Sequence, residues 1–501
     1  MPNPLVVLMD GLGCDSSTIG HQWATNPSTR LLPTGETFEL DQLIVLTSQT
    51  GNEWGHTAHL NETYKYPVHT AHNIRTVQIT RAGSSTKDGY TVLDDTRSPQ
   101  RCFIRGLHNS LDHPTPTLDK RILDFIPLPE LLKRFPTVSI QASDTPSSGY
   151  SLGEELLERG TVPQFSEAQR KCSPKFKHLI QDQWVKDTAK LTQGYSLGED
   201  LLENGVVPQY VQGRRKCSSK SKARPCDQWV DDFADTVGSE DKPVIYVAIG
   251  FTKGEERRRD RGEMAENNSQ PDKLPYRRVN FFPLIDQFKY ERKDTEAYAH
   301  QVIARGIEPW WRSACVECPF SGIAGPKEEV LMKHRQYPIE SGFALFVEHV
   351  SRRLNPKQTL YPSGRSLYQM LLDDGNFAAL ANLQERLESS PWAVYRVQRI
   401  VGTPVPWRNT QILAVDDYHS IDQTLVDVSA ALLAPLTLEP DGFTRAWIEL
   451  RQVENVRVED LLTIAPAVVR EKHRPGWDKT WNFYHNTHLQ LDLFRLSQDR
   501  S

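Results

Sequence analysis

The stretch that decides the fold is Leu5-Val6-Val7-Leu8-Met9, followed at once by Asp10-Gly11-Leu12-Gly13-Cys14-Asp15-Ser16-Ser17. A short apolar run rich in β-branched residues is typical of a strand that is buried on both faces. The two glycines permit a tight turn whose backbone N–H groups can approach an anion. We expect Asp15, Ser16 and Ser17 to cap a helix that ends before Pro27. The stretch therefore predicts a strand, a turn and a phosphate-suited helix N-terminus, although many such units bind nothing.

Further strands alternate with helical segments along the first half of the chain. Residues 43–46, 76–80 and 244–250 are patterned as strands, and residues 57–72 are patterned as a helix. This alternation predicts an α/β fold, with a Rossmann-like, mostly parallel sheet and helices on both of its faces. The polar turn Thr50-Gly51-Asn52-Glu53 follows the second strand, so we expect it on the same rim as the first glycine turn.

Shifts in composition divide the chain into two predicted domains, 1–325 and 326–501. The first contains a loop-rich insertion at about 81–135 and a tandem repeat, in which residues 149–185 recur as 194–230. We expect each copy to form a helix, a basic turn with a cysteine and a second helix. The C-terminal region is predicted to be mainly helical with two strands: helical spacing covers 340–353, 366–388 and 456–472, and the strands cover 393–397 and 446–450.

Bulk composition excludes several classes of protein. The net charge of -5 over 501 residues provides no general attraction to nucleic acid, so any basic surface must be local. No apolar run approaches the roughly 18 residues of a membrane span, and the N-terminus lacks the pattern of a secretory signal. We therefore expect a cytoplasmic protein with no membrane partner. The odd, sparse set of 7 cysteines does not form a disulfide framework, and Cys315-Val316-Glu317-Cys318 predicts a metal, cluster or redox site.

Several polar segments occur in an order that resembles one family. They are Asp10-Gly11-Leu12-Gly13-Cys14-Asp15-Ser16, Thr50-Gly51-Asn52-Glu53, Arg215-Lys216-Cys217-Ser218 with Lys222, Gly250 with Glu256 and Arg259, and Ser313-Ala314-Cys315-Val316-Glu317-Cys318-Pro319-Phe320. In this order they resemble the motifs of the phosphoadenosine-phosphosulfate reductase-like family, whose members are N-type ATP pyrophosphatases. The resemblance covers about residues 4–322.

The chain departs from the family pattern at three positions. Asp10 replaces the first Ser of the Ser-Gly-Gly-x-Asp-Ser loop, and Cys14 occupies a position that is often basic. Gln49 replaces the Asp of the Asp-Thr-Gly-x-Glu motif. These changes make the loop less basic than is usual in the family. We therefore expect its grip on phosphate to come from backbone N–H groups and from later segments, with Lys222 and Arg259 first among them.

The resemblance implies an ATP-dependent sulfurtransferase that adenylates a substrate and then transfers sulfur to it. No cysteine follows Cys318, so the mobile C-terminal thiolate of the family's sulfonucleotide reductases has no counterpart, and their tandem Cys-Cys is also missing. The DNA-phosphorothioation sulfurtransferases look similar in length and layout, and tRNA thiolation is a second form of this function. Two alternatives remain open: phosphoadenosine-phosphosulfate or adenylylsulfate reductase activity, and a non-catalytic nucleotide-binding component of a defence or mobile-element system.

The same resemblance implies the site residues and cofactors. ATP with Mg²⁺ would be bound by Gly11, Gly13, Asp15, Ser16, Ser17, Thr50, Gly51 and Glu53. Catalytic charges would come from Lys222, Glu256 and Arg259, and metal ligands from Cys217, Cys315 and Cys318. Those thiolates would hold a 4Fe-4S iron-sulfur cluster, alternatively zinc with Cys172 or Cys226 added, or the CxxC would stay reduced without a metal. The implied partners are an adenine nucleotide, DNA or tRNA, a sulfur donor such as a cysteine desulfurase, and proteins of a defence system.

Overall fold

A computed structural model describes residues 5–85, 87–103, 165–166, 169–170, 194–208, 210–211, 214–237, 243–260, 276–310, 314–319, 327–361, 365–403, 406–453 and 455–484. Contacts divide the chain into two compact units. The first unit contains Met1–Ser196 and Ser218–Ser313, and the second contains Leu197–Cys217 and Ala314–Ser501.

The elements of the N-terminal part alternate between strands and helices, as predicted. In chain order they are β1 (Leu5–Asp10), α1 (Cys14–Thr25), two 3-10 turns (Pro27–Thr29 and Leu40–Gln42), β2 (Leu43–Ser48), α2 (Gly55–Leu60), the π-helical segment π1 (Asn61–Lys65), α3 (Tyr66–Ala71), β3 (Arg75–Arg81) and β4 (Tyr90–Thr96). Two short strands, β5 (Phe165–Ser166) and β6 (Gln169–Arg170), follow.

The remaining elements start with the second copy of the repeat. They are α4 (Leu197–Asn204), β7 (Tyr210–Val211), β8 (Arg214–Arg215), α5 (Lys216–Ser218), π2 (Ser219–Ala223), α6 (Arg224–Val237), β9 (Val244–Ile249), β10 (Arg277–Phe281), α7 (Pro283–Asp286), α8 (Arg292–Tyr298) and π3 (Ala299–Ile303). The C-terminal part contains α9 (Lys327–Gln336), α10 (Pro338–Leu354), α11 (Leu367–Asp373), α12 (Phe377–Ser389), β11 (Trp392–Val401), β12 (Trp407–Asp416), α13 (Ile421–Ala431), β13 (Leu436–Leu438), β14 (Thr444–Val453) and β15 (Val456–Pro466).

The first unit is built on a six-stranded sheet in the order β10-β9-β1-β2-β3-β4. All neighbouring pairs are parallel except β3 with β4, which are antiparallel. The chain adds strands on one side of β1 up to β4 and then crosses to the other side at β9. In such sheets ligands bind at the carboxyl ends of the strands, at the point where the strand order reverses. That point lies between β1 and β9.

Helices cover both faces of this sheet, which confirms the predicted fold class. On one face Trp23 of α1 packs with alternate residues of β1, Val6 and Leu8. On the other face Trp229 of α6 packs with Val7. Every one of these side chains is at most 5% exposed, so β1 is buried on both sides as its apolar run predicts.

The second unit combines helices with a five-stranded antiparallel sheet in the order β12-β11-β15-β14-β13. The helices predicted at 340–353 and 366–388 are present, the latter divided at Gly375, where φ is +71°. The strands predicted at 393–397 and 446–450 belong to β11 and β14.

The predicted helical spacing at 456–472 was wrong, because residues 456–466 form β15. Two acidic residues in this stretch look like the polar face of a helix. In the sheet they are buried in ion pairs instead: Glu459 Oε2 lies 2.6 Å from Arg399 NH2, and Asp460 Oδ2 lies 2.6 Å from Arg396 NH2. Arginines on the neighbouring strand therefore stabilise acidic side chains that a helical pattern would place in solvent.

Parts of the repeat and of the insertion lie within the described residues. In copy two the basic segment is not a turn, because Lys216 and Cys217 already belong to α5. The hairpin β5–β6 of copy one corresponds, at the shift of 45 residues, to the hairpin β7–β8 of copy two. The rest of copy one, including Cys172, lies outside the described residues. In the predicted loop-rich insertion, residues 90–96 form the edge strand β4, and residues 104–135 are not described.

Candidate functional site

The glycine turn after β1 leads directly into α1. The N-cap of α1 is Gly13, in an extended conformation with no capping side chain, so the expected capping by Asp15, Ser16 and Ser17 was wrong. Those three residues occupy the first turn of the helix instead. The N–H groups at this end have no acceptor within the helix, because the residues four positions earlier are not helical. The N-terminus of α1 therefore presents backbone N–H groups and a positive partial charge at the carboxyl end of β1.

Asp10 holds this turn in place through hydrogen bonds of its side chain. Its Oδ1 accepts hydrogen bonds from Leu12 N at 3.0 Å and Ser16 Oγ at 2.7 Å. Its Oδ2 accepts from Thr47 Oγ1 at 2.8 Å and Lys65 Nζ at 2.5 Å. Burial by itself would raise the pKa of Asp10, but Lys65 and the hydrogen bonds outweigh it and lower this pKa to about 2. The residue that departs from the family pattern is therefore a charged, fully bonded structural group.

Five of the predicted ATP and Mg²⁺ ligands lie in the turn and helix that follow Asp10, and their surroundings differ. The hydroxyl of Ser16 donates to Asp10, and Gly11 N donates to Ser16 Oγ at 3.3 Å, so Ser16 shapes the turn. Ser17 is 1% exposed, and its Oγ has no hydrogen-bond partner among the described residues. Buried hydroxyls are rarely left without a partner, so Ser17 is the better candidate to contact a ligand. Gly13 contributes its backbone, as the N-cap residue of α1.

Asp15 is paired with an arginine that no sequence motif indicated. Arg292 NH1 lies 2.6 Å from Asp15 Oδ2, and Thr295 Oγ1 donates to Asp15 Oδ1 at 2.7 Å. Burial raises the pKa of Asp15, and Arg292 acts in the opposite direction. Both carboxylate oxygens are therefore in use. A magnesium ion at Asp15 would have to share the carboxylate with Arg292 and Thr295, and the role of Asp15 as a metal ligand stays a prediction.

The turn after β2 brings together two motifs that are far apart in the sequence. Glu53 is fully buried, and its Oε1 lies 3.0 Å from Lys222 Nζ. The contact is an ion pair without an aligned hydrogen bond, and Glu53 Oε2 has no hydrogen-bond partner among the described residues. Ser48 Oγ donates to Ser221 O at 2.9 Å, which holds π2 against the end of β2. Glu53 thus keeps one carboxylate oxygen available at the rim of the sheet.

Thr50 and Gly51 complete this second turn. Both are buried, and Gly51 has a φ of +78°, a conformation that a residue with a Cβ rarely adopts. The turn thus leads the chain from the end of β2 to Glu53.

The three predicted catalytic residues lie at the ends of different strands. Lys222 is at the end of β2, while Glu256 and Arg259 follow β9, and β1 separates these two strands. Glu256 Oε1 accepts from Gly254 N at 2.9 Å. Arg259 NH2 lies 3.0 Å from Asp260 Oδ1. Arg292 is a cation that contacts the first turn of α1, through Asp15, and the role of Arg259 at the glycine turn stays a prediction.

The π-helical segments of the first unit contact this region. From π1, Asn61 Nδ2 donates to Leu12 O at 3.3 Å, and Lys65 reaches Asp10. From π2 comes Lys222, and π3 packs Ala299 against the same apolar cluster as Cys14. A π-helical turn is a strained insertion that is frequent at functional sites. The π-helical segments around the carboxyl ends of β1 and β2 therefore indicate that this edge of the sheet is the candidate site.

The predicted metal-binding cysteines all lie in the second unit. Cys217 and Cys315 pack against one apolar cluster, formed by Leu197, Leu201 and Val347. Cys318 N donates to Cys315 O at 3.1 Å, which forms the tight turn expected of a CxxC. Among the residues that the structure describes, no group of three or more His, Cys, Asp or Glu side chains could hold a metal ion. A cluster or zinc ion at these cysteines therefore remains a prediction.

Cys226 does not fit a role as an additional ligand. It is buried in the core between the sheet and α6, beside Trp229 and Val230. Burial raises its pKa to about 12, so it is a neutral thiol at physiological pH.

No protein-family model, curated protein or solved structure matches this chain. In the described part of the chain, every helix is too short or too polar to cross a membrane.

Sequence reasoning missed Asn61, Lys65 and Arg292. The signal for Lys65 was the unusual Asp10, because a carboxylate at the end of a buried strand requires a cation. The signal for Arg292 was the missing basic residue at position 14. Neither signal identifies which of the 59 lysines and arginines supplies the charge.

Proposed function

We propose that the first unit binds ATP at the carboxyl edge of its parallel sheet and uses it to adenylate a substrate, as the first step of a sulfurtransferase-like reaction. The observation that carries the proposal is the Glu53–Lys222 ion pair at 3.0 Å. It joins two of the motifs that resemble the N-type ATP pyrophosphatases, at the rim where the turn after β1 also ends.

In this reaction an oxygen of the substrate attacks the α-phosphorus of ATP. The bond from that phosphorus to the β-bridging oxygen breaks, and pyrophosphate leaves with the electron pair. The N-terminus of α1 and Ser17 Oγ would bind the phosphates, and Lys222 would stabilise the negative charge that develops on them. The rate would come mainly from holding the reacting groups in line.

Magnesium would enter with ATP. The donor available to it is Glu53 Oε2, a buried carboxylate oxygen with no hydrogen-bond partner among the described residues. Mg²⁺ prefers one or two carboxylates together with phosphate oxygens and water, and one such oxygen fits this requirement. Asp15 would be a second ligand if it shared its carboxylate with Arg292 and Thr295.

The second half of the proposed reaction is the transfer of sulfur to the adenylated substrate, with displacement of AMP. It is supported by the shared apolar surroundings of Cys217 and Cys315. We propose DNA or tRNA as acceptors and a cysteine desulfurase as the sulfur donor, both from the family resemblance. A cluster is not required for this step. One of the two cysteines, converted to a persulfide by the sulfur donor, would attack the adenylated substrate with its outer sulfur, and AMP would leave. The thiol of the other cysteine would then release the thiolated product by forming a disulfide with the first, and an external thiol would reduce that disulfide before the next turnover.

The experiment is to incubate purified protein with ATP, Mg²⁺ and pools of tRNA or DNA, and to measure pyrophosphate. We expect release by the wild type and strong loss in Glu53→Gln and Lys222→Met. The matched control is Glu385→Gln, which removes an exposed carboxylate from the second unit. Equal release by the wild type and Glu53→Gln would refute the assigned site. Iron, sulfide and zinc measured on anaerobically purified protein test the prediction of a cluster at the cysteines.

A non-catalytic nucleotide-binding role is the second candidate. It is favoured by the charge pairs within the first turn, because Asp10 and Asp15 are each bound to a basic residue of the protein itself. Tight ATP binding without pyrophosphate release under any acceptor condition would select this role.

A further inference from the structure

A groove of about 500 Å³ opens in the first unit beside the start of α8. Its lining comes from the segment after β9 and from the residues around the start of α8: Lys253, Gly254, Glu256, Glu291, Arg292 and Lys293. None of the motifs singled out in the sequence predicts a site on α8.

Arg292 connects this groove to the first turn of α1. Its NH1 lies 2.6 Å from Asp15 Oδ2 and 3.3 Å from Cys14 Sγ. Residues 11–14 of the turn carry no positive charge. A guanidinium from 278 residues further along the chain therefore lies where the loop itself lacks a charge.

The charged side chains around the groove differ in the partners that they already have. Glu256 is engaged by Gly254 N at 2.9 Å, and Glu291 by Lys293 Nζ at 3.0 Å. Both acidic side chains thus have donors from the protein. Lys253 is exposed and adds a second cation beside Arg292. Arg292 is also paired, with Asp15, so an anion in the groove would contact Lys253 and compete with Asp15 for Arg292.

Two glycines determine how the segment after β9 runs on this side of the groove. A Cβ at Gly250 would lie 3.3 Å from both Asp15 Cβ and Ser16 N, so the segment after β9 passes close against the first turn of α1. At Gly254, with a φ of +97°, an added Cβ would meet nothing within 4 Å. The close approach joins the groove to the helix N-terminus, and Gly254 leaves its rim open to solvent.

We propose that this groove binds the terminal phosphates of a nucleotide, with Arg292 and Lys253 as its cationic ligands. This inference rests on the proposed function, which requires a site for the leaving pyrophosphate. Arg292 supplies the charge that Cys14 does not carry. Asp15 holds Arg292 at the edge of the groove and competes with the anion for it.

The test is isothermal titration calorimetry of the full chain with inorganic tripolyphosphate, without divalent metal. We expect Arg292→Gln to weaken binding about tenfold, the loss of one charge-assisted hydrogen bond, and Lys253→Gln to weaken it about threefold. Asp15→Asn should strengthen binding, because it removes the competing carboxylate. Lys357→Gln removes an exposed lysine from the second unit and should bind as the wild type does.

Arg292→Lys keeps the charge and should retain part of the affinity, which separates loss of charge from misfolding. No binding by the wild type, wild-type affinity in Arg292→Gln, or weaker binding in Asp15→Asn would overturn the proposal. Arg292-dependent binding in a protein that never cleaves ATP would keep this site and refute the adenylation. If ATP cleavage and ATP affinity are both unchanged in Arg292→Gln, this site is refuted and the adenylation is kept.

Discussion

Two buried carboxylates end neighbouring strands of the parallel sheet, and their surroundings are opposite. Asp10 at the end of β1 accepts hydrogen bonds from Leu12, Ser16, Thr47 and Lys65. Glu53, after β2, contacts Lys222 with one oxygen, and the other has no hydrogen-bond partner among the described residues. A fully bonded buried charge stabilises a backbone conformation, whereas an incompletely bonded one is costly and marks a site that a ligand completes.

The largest effect should follow the removal of the bonded carboxylate. Asp10→Ala leaves Lys65 buried without a partner, and breaking a buried pair in this way costs about 3–5 kcal/mol. We expect a correspondingly lower urea midpoint for the first unit. The double variant Asp10→Asn with Lys65→Met removes both charges and should recover much of the loss. Equal stability of Asp10→Ala and the wild type would contradict the anchoring role of Asp10.

Glu53→Gln should produce the opposite result. The variant removes a charge whose hydrogen bonding is incomplete, and the Lys222 side chain is 28% exposed, so water can solvate the lysine that loses its partner. We therefore expect the free energy of unfolding to change by less than about 1 kcal/mol. Pyrophosphate release should fall by about ten- to a hundredfold, as for residues that orient a metal or its ligands. A large loss of stability with unchanged turnover would show that Glu53, like Asp10, is structural.

The pH dependence of stability tests the packing around Asp10. His69 is fully buried near Lys65, and burial lowers its pKa to about 3 from 6.5. Below pH 6.5 the unfolded chain binds a proton that the folded protein excludes. The contribution of neutral, buried His69 to the free energy of unfolding is therefore complete above pH 6.5. It falls by about 1.4 kcal/mol per pH unit down to about pH 3.

The measurement is the urea midpoint at pH 7, 6, 5 and 4 for the wild type and for His69→Gln. The variant lacks this titration and should show a shallower decrease. Asp10 stays ionised throughout this range, since its folded pKa is about 2. Identical slopes for the two proteins would contradict a buried, neutral His69.

The smallest predicted effect concerns the close approach of the segment after β9. Gly250→Ala places a Cβ 3.3 Å from Ser16 N, which requires a shift of a few tenths of an ångström. We expect about 1 kcal/mol of destabilisation and weaker nucleotide binding. The control is Gly20→Ala, where an added Cβ would make only ordinary contacts, at 3.5 Å from Leu8 and 3.8 Å from His69. If Gly250→Ala and Gly20→Ala have the same effect on nucleotide binding, the close approach to α1 has no role in function.

The sequence predicted the parts of this comparison that depend on local pattern. The apolar run of β1, the glycine turn and the turn after β2 were located correctly because burial and turn chemistry are visible over a few residues. The bonding of the two carboxylates was not predictable. Lys65 reaches Asp10 across 55 residues and Arg292 reaches Asp15 across 277, and no pattern specifies such pairs.

The segment 456–466 illustrates the same limit in the second unit. Its spacing predicted a helix, but it forms a strand whose acidic residues pair with arginines on the adjacent strand. Whether a charged position faces solvent or an ion pair depends on strand register, which the hydrophobic pattern alone does not determine.

The central claim is that ATP is cleaved between its α- and β-phosphates at the edge that carries Glu53. The most direct measurement is the identity of the products formed from ATP labelled at the α-phosphate, with Mg²⁺ and an acceptor nucleic acid. We predict labelled AMP or an AMP-linked acceptor together with pyrophosphate, and about ten- to a hundredfold slower formation of both in Glu53→Gln. Labelled ADP with inorganic phosphate, or AMP formed equally well by Glu53→Gln, would contradict the account.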